Sequence, residues 1–336
     1  MLTERDLQRK SVQHRQARLR LIKTANAGHA LGELVRTFEA APFRPGKPSA
    51  VLSDSRGSAK LAPFAKAVPG QIVEVGIAEQ NLVGVAAGLA AAGKTVFAVS
   101  PACFLTARSL EQIKNDLCYS DRPVKAVGIS AGVSYGALGT THHSLHDYAA
   151  LRAIHNVTIV APADNFETRE AVRAAAQLPA PVYLRFGKKR MPHLPRVDAC
   201  FALGKASLIR EGTDLAFLAC GETVAPAFEA AELLAQEGVQ CRVLSVHTIK
   251  PLDAEAVRKA ATETGRIITV EEHSVSGGLG EACAGLLLQE GIAPRFEIVG
   301  FPDDHTVTGN QEEIFRHYGL DGPGLAATAR KLLAKR

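Results

Sequence analysis

Short apolar runs recur along this chain, each followed by a longer stretch whose apolar positions return every three or four residues. Runs of the first kind predict strands and stretches of the second predict amphipathic helices. In the first half the strands fall at Ala50–Ser53, Ile72–Val75, Val96–Val99, Val124–Ile129, Val157–Val160 and Val182–Leu184. The helices between them fall at Glu79–Ala91, Leu105–Tyr119, Asp147–Ile154 and Phe166–Leu178. Strands apolar on both faces and alternating with helices belong in a parallel sheet covered on both sides. From Gly187 to Ala199 the pattern lapses into a basic stretch with Pro192 and Pro195, which reads as a linker. The alternation then restarts, with strands at Leu215–Ala219, Arg242–Val246, Ile267–Val270 and Phe296–Val299. Helices follow at Ala225–Gln236, Ala254–Thr264, Leu279–Gln289, Glu312–Tyr318 and Pro323–Leu332.

Ahead of this pattern, residues up to about 40 read as helical, with Leu19, Leu21, Ile22, Ala30, Leu31, Leu34 and Val35 on the apolar face. Pro42, Pro45 and Pro48 end that helix, because proline lacks the backbone donor and clashes with the preceding turn. The expected fold class is therefore α/β, with two domains, each a mostly parallel sheet flanked by helices. Its divisions are a helical extension over 1–20, a first domain over 21–190, a linker over 191–200 and a second domain over 201–336.

Composition narrows this little further. The 336 residues are 46% hydrophobic, enough for two cores, and the net charge of +5 is dispersed. The richest basic run, Lys188-Lys189-Arg190, is too short to mark a nucleic-acid face. No signal-peptide pattern and no run of membrane-spanning length is present. Cys103, Cys118, Cys200, Cys220, Cys241 and Cys283 are scattered without CxxC pairs. They read as reduced, mostly buried thiols in a cytoplasmic protein.

Three places carry candidate chemistry. The polar turn Asp54–Ser58 follows the first strand. Glu79 stands at the joint between the second strand and its helix, where α/β proteins hold their ligands. It is either an exposed acid favoured by the helix dipole or a buried carboxylate beside a ligand. The third place is the Gly-rich loop from Ala131 to Asp147, with His142, His143 and His146. Histidines this close on one loop, with only Asp147 as a nearby carboxylate, make a poor tetrahedral metal site. Hydrogen bonding and proton transfer over a ligand suit them better. Gly277-Gly278-Leu279-Gly280 opens a helix and reads equally as an anion site or as close backbone packing. No GxGxxG motif occurs.

Taken together, these segments resemble the transketolase family of thiamine-diphosphate enzymes. Val75-Gly76-Ile77-Ala78-Glu79-Gln80-Asn81 resembles that family's VGIAEQ(H/N) motif, and Phe104 the aromatic that packs on the aminopyrimidine. Gly139-Thr140-Thr141-His142-His143 is similar to DGxTHQ, and Ala161-Pro162-Ala163-Asp164 to the PAD that follows it. Val270-Glu271-Glu272-His273, continuing to Gly280, resembles the signature of the carboxyl-terminal domain. The GDG motif that holds magnesium and diphosphate in full-length members is absent. The resemblance therefore implies the carboxyl-terminal subunit of a split transketolase, a pyrimidine-binding domain followed by a C-terminal domain. Thiamine diphosphate would be shared with a separate diphosphate-binding subunit, which would hold most of the Mg2+, in an α2β2 assembly.

The resemblance also implies residue roles. Glu79 and His142 would be catalytic. Asp54, Ile77, Glu79 and Phe104 would line the cofactor, and Ser58, Ser130, Leu138, His142, His143 and Lys188 the substrate, with no metal ligand on this chain. The Glu79 carboxyl, kept protonated by burial, would hydrogen-bond the pyrimidine ring nitrogen and promote the tautomer that deprotonates the thiazolium carbon. The activity implied is transfer of a two-carbon ketol unit from a ketose to an aldehyde. Three departures point to a substrate other than the usual pentose and hexose phosphates. Leu138 replaces the acid that contacts an acceptor hydroxyl, Ser130 a histidine, and Thr24 an arginine of the phosphate site. A buried leucine there would forfeit a carboxylate's hydrogen bonds.

Two other enzymes share these domains, the β subunit of 2-oxoacid dehydrogenase decarboxylases and the deoxyxylulose-phosphate synthases. The Thr141-His142-His143 stretch is closer to transketolase and the synthase. A catalytically silent interaction subunit is the reading from another class, opposed by the presence of Glu79, Phe104 and His142. His247 and His273, without an evident charge partner, read as structural.

Overall fold

The computed structural model describes residues 49–53, 57–197 and 200–334. The helix expected before residue 40, Thr24 and Asp54 lie outside the described residues. The first half builds a sheet from β1 (Ser49–Leu52), β2 (Ile72–Glu74), β3 (Val96–Pro101), β4 (Val124–Ile129), β5 (Thr158–Val160) and β6 (Val182–Arg185). These six are mutually parallel, in the order β5-β6-β4-β3-β1-β2. β3, β4 and β6 are buried at every residue, which explains their continuous apolar runs.

The helices of this half are α1 (Ala62–Ala67), α2 (Glu79–Ala91), α3 (Ala102–Arg108), α4 (Leu110–Gln112), α5 (Asp147–Arg152) and α6 (Asn165–Gln177). The stretch 105–119, which the periodicity reads as one helix, is broken. Ser109 leaves helical geometry at ψ 25°, its hydroxyl donating back to the Leu105 carbonyl at 2.5 Å. Beyond α4 the chain continues as a π-helix over Ile113–Tyr119. Side chains that compete for backbone carbonyls are a recognised cause of such breaks.

The second sheet contains β7 (Ser207–Arg210), β8 (Leu215–Ala219), β9 (Cys241–Ser245), β11 (Arg266–Ser274) and β12 (Arg295–Phe301), in the order β12-β11-β8-β9-β7. It is parallel except for β7, which runs against β9. Around it pack α7 (Val224–Ala235), α8 (Ala254–Thr264), α9 (Leu279–Gln289), α10 (Gln311–Tyr318) and α11 (Gly322–Ala334).

The two halves are joined by more than a linker. β10 (Thr248–Lys250) leaves the second unit and adds to the first sheet, antiparallel to β5. One buried apolar cluster runs from Leu82 and Leu105 through Tyr148 to Leu218, Val246 and Leu279. The basic stretch is also anchored at Arg196. Arg196 gives both terminal nitrogens to Asp164, each at 2.8 Å. Asp164 is the N-cap of α6, accepting from the Glu167 amide at 3.0 Å, so the Pro162-Ala163-Asp164 run has a capping role.

Candidate active site

β2 stops at Glu74, and Gly76 takes φ +75°, a left-handed turn that favours glycine. That turn brings Glu79 to the first residue of α2. Leu82, Val83, Ala86 and Ala90 share its buried face, at helical spacing. Glu79 is 3% exposed, so it is not the solvated acid that helix-dipole preference alone would place there. Its Oε1 accepts from Ser100 Oγ at 3.3 Å, and Ser100 stands 2.6 Å from Ser53 Oγ. Its Oε2 accepts from Arg108 Nη1 at 3.1 Å. Arg108 also lies over the Phe104 ring, 4.2 Å from the centroid.

Phe104 leads from Glu79 to the loop. Its ring meets His142 edge-on, centroids 5.3 Å apart, and His142 meets Tyr135 in the same way at 5.5 Å. Tyr135 shares a hydrogen bond with Ser130, and Lys188 Nζ lies 4.9 Å from its ring centroid. Burial pushes the Tyr135 phenol upward, opposed by the Ser130 hydrogen bond. Glu79, Phe104, Ser130, His142 and Lys188 thus form one continuous wall. His142 Nδ1 and Thr141 Oγ1 are 2.9 Å apart. His143 is buried against the Gly136 carbonyl, Nε2 to O at 3.1 Å, and burial lowers its pKa. It holds the loop while His142 packs between Phe104 and Tyr135.

Three residues of the expected site stand apart from this wall. Ile77 is 76% exposed at the strand–helix joint, and Ser58 is exposed on the turn after β1. Leu138 is 56% exposed, which corrects the expectation of a buried leucine: among the described residues nothing covers it.

Beneath the loop lies a buried polar network that sequence patterns do not disclose. Arg185 donates Nε to Asp147 Oδ2 at 2.8 Å and Nη2 to the carbonyls of Ser144 and Glu272 at 3.1 and 2.8 Å. Burial opposes ionisation of Asp147, but Arg185, His273 and the Tyr183 hydrogen bond hold its pKa below the usual carboxylate range. Glu272 accepts from the Val133 amide at 3.0 Å and from Gln311 Nε2 at 2.7 Å, and Gln311 also reaches Glu222. Gly132, at φ +60°, lies so close to Glu272 that a Cβ would fall 2.0 Å from the carboxyl carbon. His273, which the sequence leaves without an evident charge partner, has Asp147 and Glu271 each at 3.9 Å. Burial nevertheless pushes its pKa down to about 4. Its ring takes the Ala149 amide at 3.3 Å and meets the Ser274 carbonyl at 2.7 Å, so its role stays structural.

An open cleft of about 410 Å³ lies over Phe104 and Arg108, bounded by Thr140, Thr141, His143 and His146. A buried carboxyl beside an aromatic face suits a flat heterocycle bearing ring nitrogens, the pyrimidine end of thiamine diphosphate. Among the described residues, no cluster of three His, Cys, Asp or Glu side chains is arranged for a metal ion. Arg108, Ser100, Tyr135 and Arg185 are not singled out by the sequence. The available signal is the spacing of Phe104 and Arg108, four residues apart on one helix face.

Comparisons with known proteins identify the family. A family described as transketolase, pyrimidine binding domain, matches residues 49–193. One described as transketolase, C-terminal domain, matches residues 204–325. An apulose-4-phosphate transketolase subunit from Phocaeicola vulgatus is 52% identical over 85% of this chain and 91% of its own. A protein of the same name from Actinobacillus succinogenes is 36% identical over 92% of this chain and 99% of its own. A solved structure described as a split-gene transketolase, inactive beta4 tetramer, has a TM-score of 0.81 at 36% identity, covering 91% of this chain and 97% of that one.

Proposed function

The chain belongs to the transketolase family, and from that premise we propose how its described site works as the carboxyl-terminal subunit of a split, thiamine-diphosphate-dependent transketolase. The single observation that carries the residue assignment is the Glu79 carboxyl, buried at the β2–α2 joint beside the Phe104 face. When bound, thiamine diphosphate supplies the carbon nucleophile for C–C cleavage and ketol transfer. Glu79 would hydrogen-bond a ring nitrogen of the pyrimidine from its buried place at the β2–α2 joint. Phe104 would orient that ring by stacking. His142, packed edge-on between Phe104 and Tyr135, would donate to or accept from oxygens of the reacting sugar.

The diphosphate and its Mg2+ are assigned to a partner subunit. Val73 at 38% exposure and Ile77 at 76% lie on the edge strand and joint beside Glu79. An uncovered apolar edge of this kind suits a docking surface. We assign it to the partner, in an α2β2 assembly.

The substrate reading follows from Leu138 and Lys188. The Lys188 ammonium, held over Tyr135, suits an anionic group on a sugar, while Leu138 offers no hydrogen bond to a hydroxyl. The two relatives are apulose-4-phosphate transketolases by name, which makes that phosphorylated sugar the first substrate to test. The test is reconstitution with the diphosphate-binding subunit encoded in the same genome, thiamine diphosphate and Mg2+. Ketol transfer from apulose 4-phosphate should exceed transfer between xylulose 5-phosphate and ribose 5-phosphate, and Glu79→Ala should abolish both. Wild-type rates in Glu79→Ala would sink the assignment of Glu79. Efficient use of the pentose phosphates would sink the substrate reading.

A further inference from the structure

Arg108 stands one helical turn beyond Phe104 on α3, and its guanidinium does two things at once. Its central carbon lies 4.2 Å from the centroid of the Phe104 ring, and Nη1 donates to Glu79 Oε2 at 3.1 Å. The other Glu79 oxygen is taken by Ser100. One planar cation therefore engages both groups assigned to the aminopyrimidine, the stacking face and the carboxyl. The chemistry matches as well as the position. A guanidinium is flat and delocalised, stacks on aromatic faces, and offers N–H donors in its plane to a carboxylate.

We infer that Arg108 is a displaceable occupant of the pyrimidine's place: it pairs Glu79 and covers Phe104 until the cofactor binds, and binding requires it to leave. The inference rests on the assignment of Glu79 and Phe104 to the cofactor. Removal of Arg108 is open to it sterically. Its side chain is 49% exposed and forms part of the wall of the 410 Å³ cleft, whereas Glu79 is 3% exposed and fixed. The pair also has a use before assembly. A carboxylate buried without a partner is strongly disfavoured, and Arg108 supplies that partner while the site is only half built. The cofactor must then compete with an internal cation, so Arg108 sets how tightly the assembled enzyme holds it.

The test is calorimetric titration of thiamine diphosphate, with Mg2+, into the assembled complex carrying wild-type, Arg108→Ala or Arg108→Gln subunits. Loss of the competitor should lower the Kd about 2- to 5-fold in either variant, the range of one part-exposed charged contact. The glutamine variant keeps the polar stem should the alanine variant fail to assemble. An unchanged or raised Kd in a variant that assembles overturns the inference. The underlying assignment is judged separately: Glu79→Ala and Phe104→Ala must each weaken binding in the same titration. If neither does, the assignment falls and takes the inference with it. If both do while Arg108→Gln leaves Kd unchanged, only the inference falls.

Discussion

Arg185 and Asp147 meet through a 2.8 Å bond from Nε to Oδ2, with side chains only 4% and 0% exposed. Asp147 ends the histidine loop and opens α5, while Arg185 ends β6, so the pair ties the loop to the sheet beneath it. The same guanidinium reaches the Glu272 carbonyl on β11, and so ties the loop to the second domain too.

Breaking this pair from one side should be severe. Arg185→Met leaves the Asp147 carboxylate buried without its cation, for which a loss of about 3–5 kcal/mol is expected. Urea denaturation of the isolated chain measures it. Asp147→Asn combined with Arg185→Met should recover part of that loss, because the orphaned charge is then gone. Additive losses would show that the two side chains act independently.

A second prediction concerns pH. Burial, followed by the neighbouring Glu222, pushes the Glu272 pKa up to about 8, and burial pushes Glu271 up to about 7. A carboxyl whose folded pKa exceeds its unfolded value contributes stability fully below the unfolded value, near 4.5, and loses it as pH rises through the folded value. His247 and His273, lowered to about 4 by burial, act oppositely but finish their contribution by about pH 6.5. Lys125, lowered to about 7 by burial, adds stability as pH rises above that value. The Glu272 effect is therefore read as a difference. Unfolding free energy of wild type minus that of Glu272→Gln should fall by on the order of 2 kcal/mol between about pH 5 and pH 8.5. A difference that stays flat would remove Glu272 from the titration.

How far such features are legible in the sequence depends on whether they are local. The parallel strands and helices α2, α8 and α9 follow from apolar spacing. β7 and β10 do not: each is short, antiparallel and at a sheet edge, and Thr248-Ile249-Lys250 is a strand only because β5 offers an unpaired edge. In the site, Glu79, Phe104 and His142 are legible because motifs carry them. Arg108 and Tyr135 are not, since their importance comes from what the fold places against them. Glu272 and Gln311 are 39 positions apart, and no local pattern announces that they share a hydrogen bond.

The two adjacent loop histidines should separate cleanly. His142 is half-buried between the rings of Phe104 and Tyr135, whereas His143 is 4% exposed and bonded to the Gly136 carbonyl. His142→Ala should lower kcat of the reconstituted enzyme by about 10²-fold, the usual scale for a positioned acid–base group, with little change in thermal midpoint. His143→Ala should lower the midpoint of the isolated chain by a few degrees, about 0.5–1.5 kcal/mol for the hydrogen bond lost to the Gly136 carbonyl, which keeps its bond from the Gly139 amide. If His142→Ala destabilises as strongly as His143→Ala, His142 is a packing residue and its catalytic role is lost.

Leu138 gives the last prediction, on specificity. It is exposed on a short turn of 3₁₀-helix over Gly136–Leu138, on the same loop as His142, so a substitution there changes chemistry without opening a cavity. Leu138→Asp restores an acceptor for a sugar hydroxyl. A site that hydrogen-bonds a substrate hydroxyl discriminates far more strongly than an apolar one of equal size. The kcat/KM of the reconstituted enzyme for ribose 5-phosphate should rise about tenfold or more relative to wild type. Stability should move by less than about 0.5 kcal/mol, as for surface substitutions generally. If ribose 5-phosphate turnover stays at the wild-type level while the variant remains folded and binds thiamine diphosphate normally, Leu138 does not face the acceptor. The substrate preference would then have to be sought at Ser130 and Lys188.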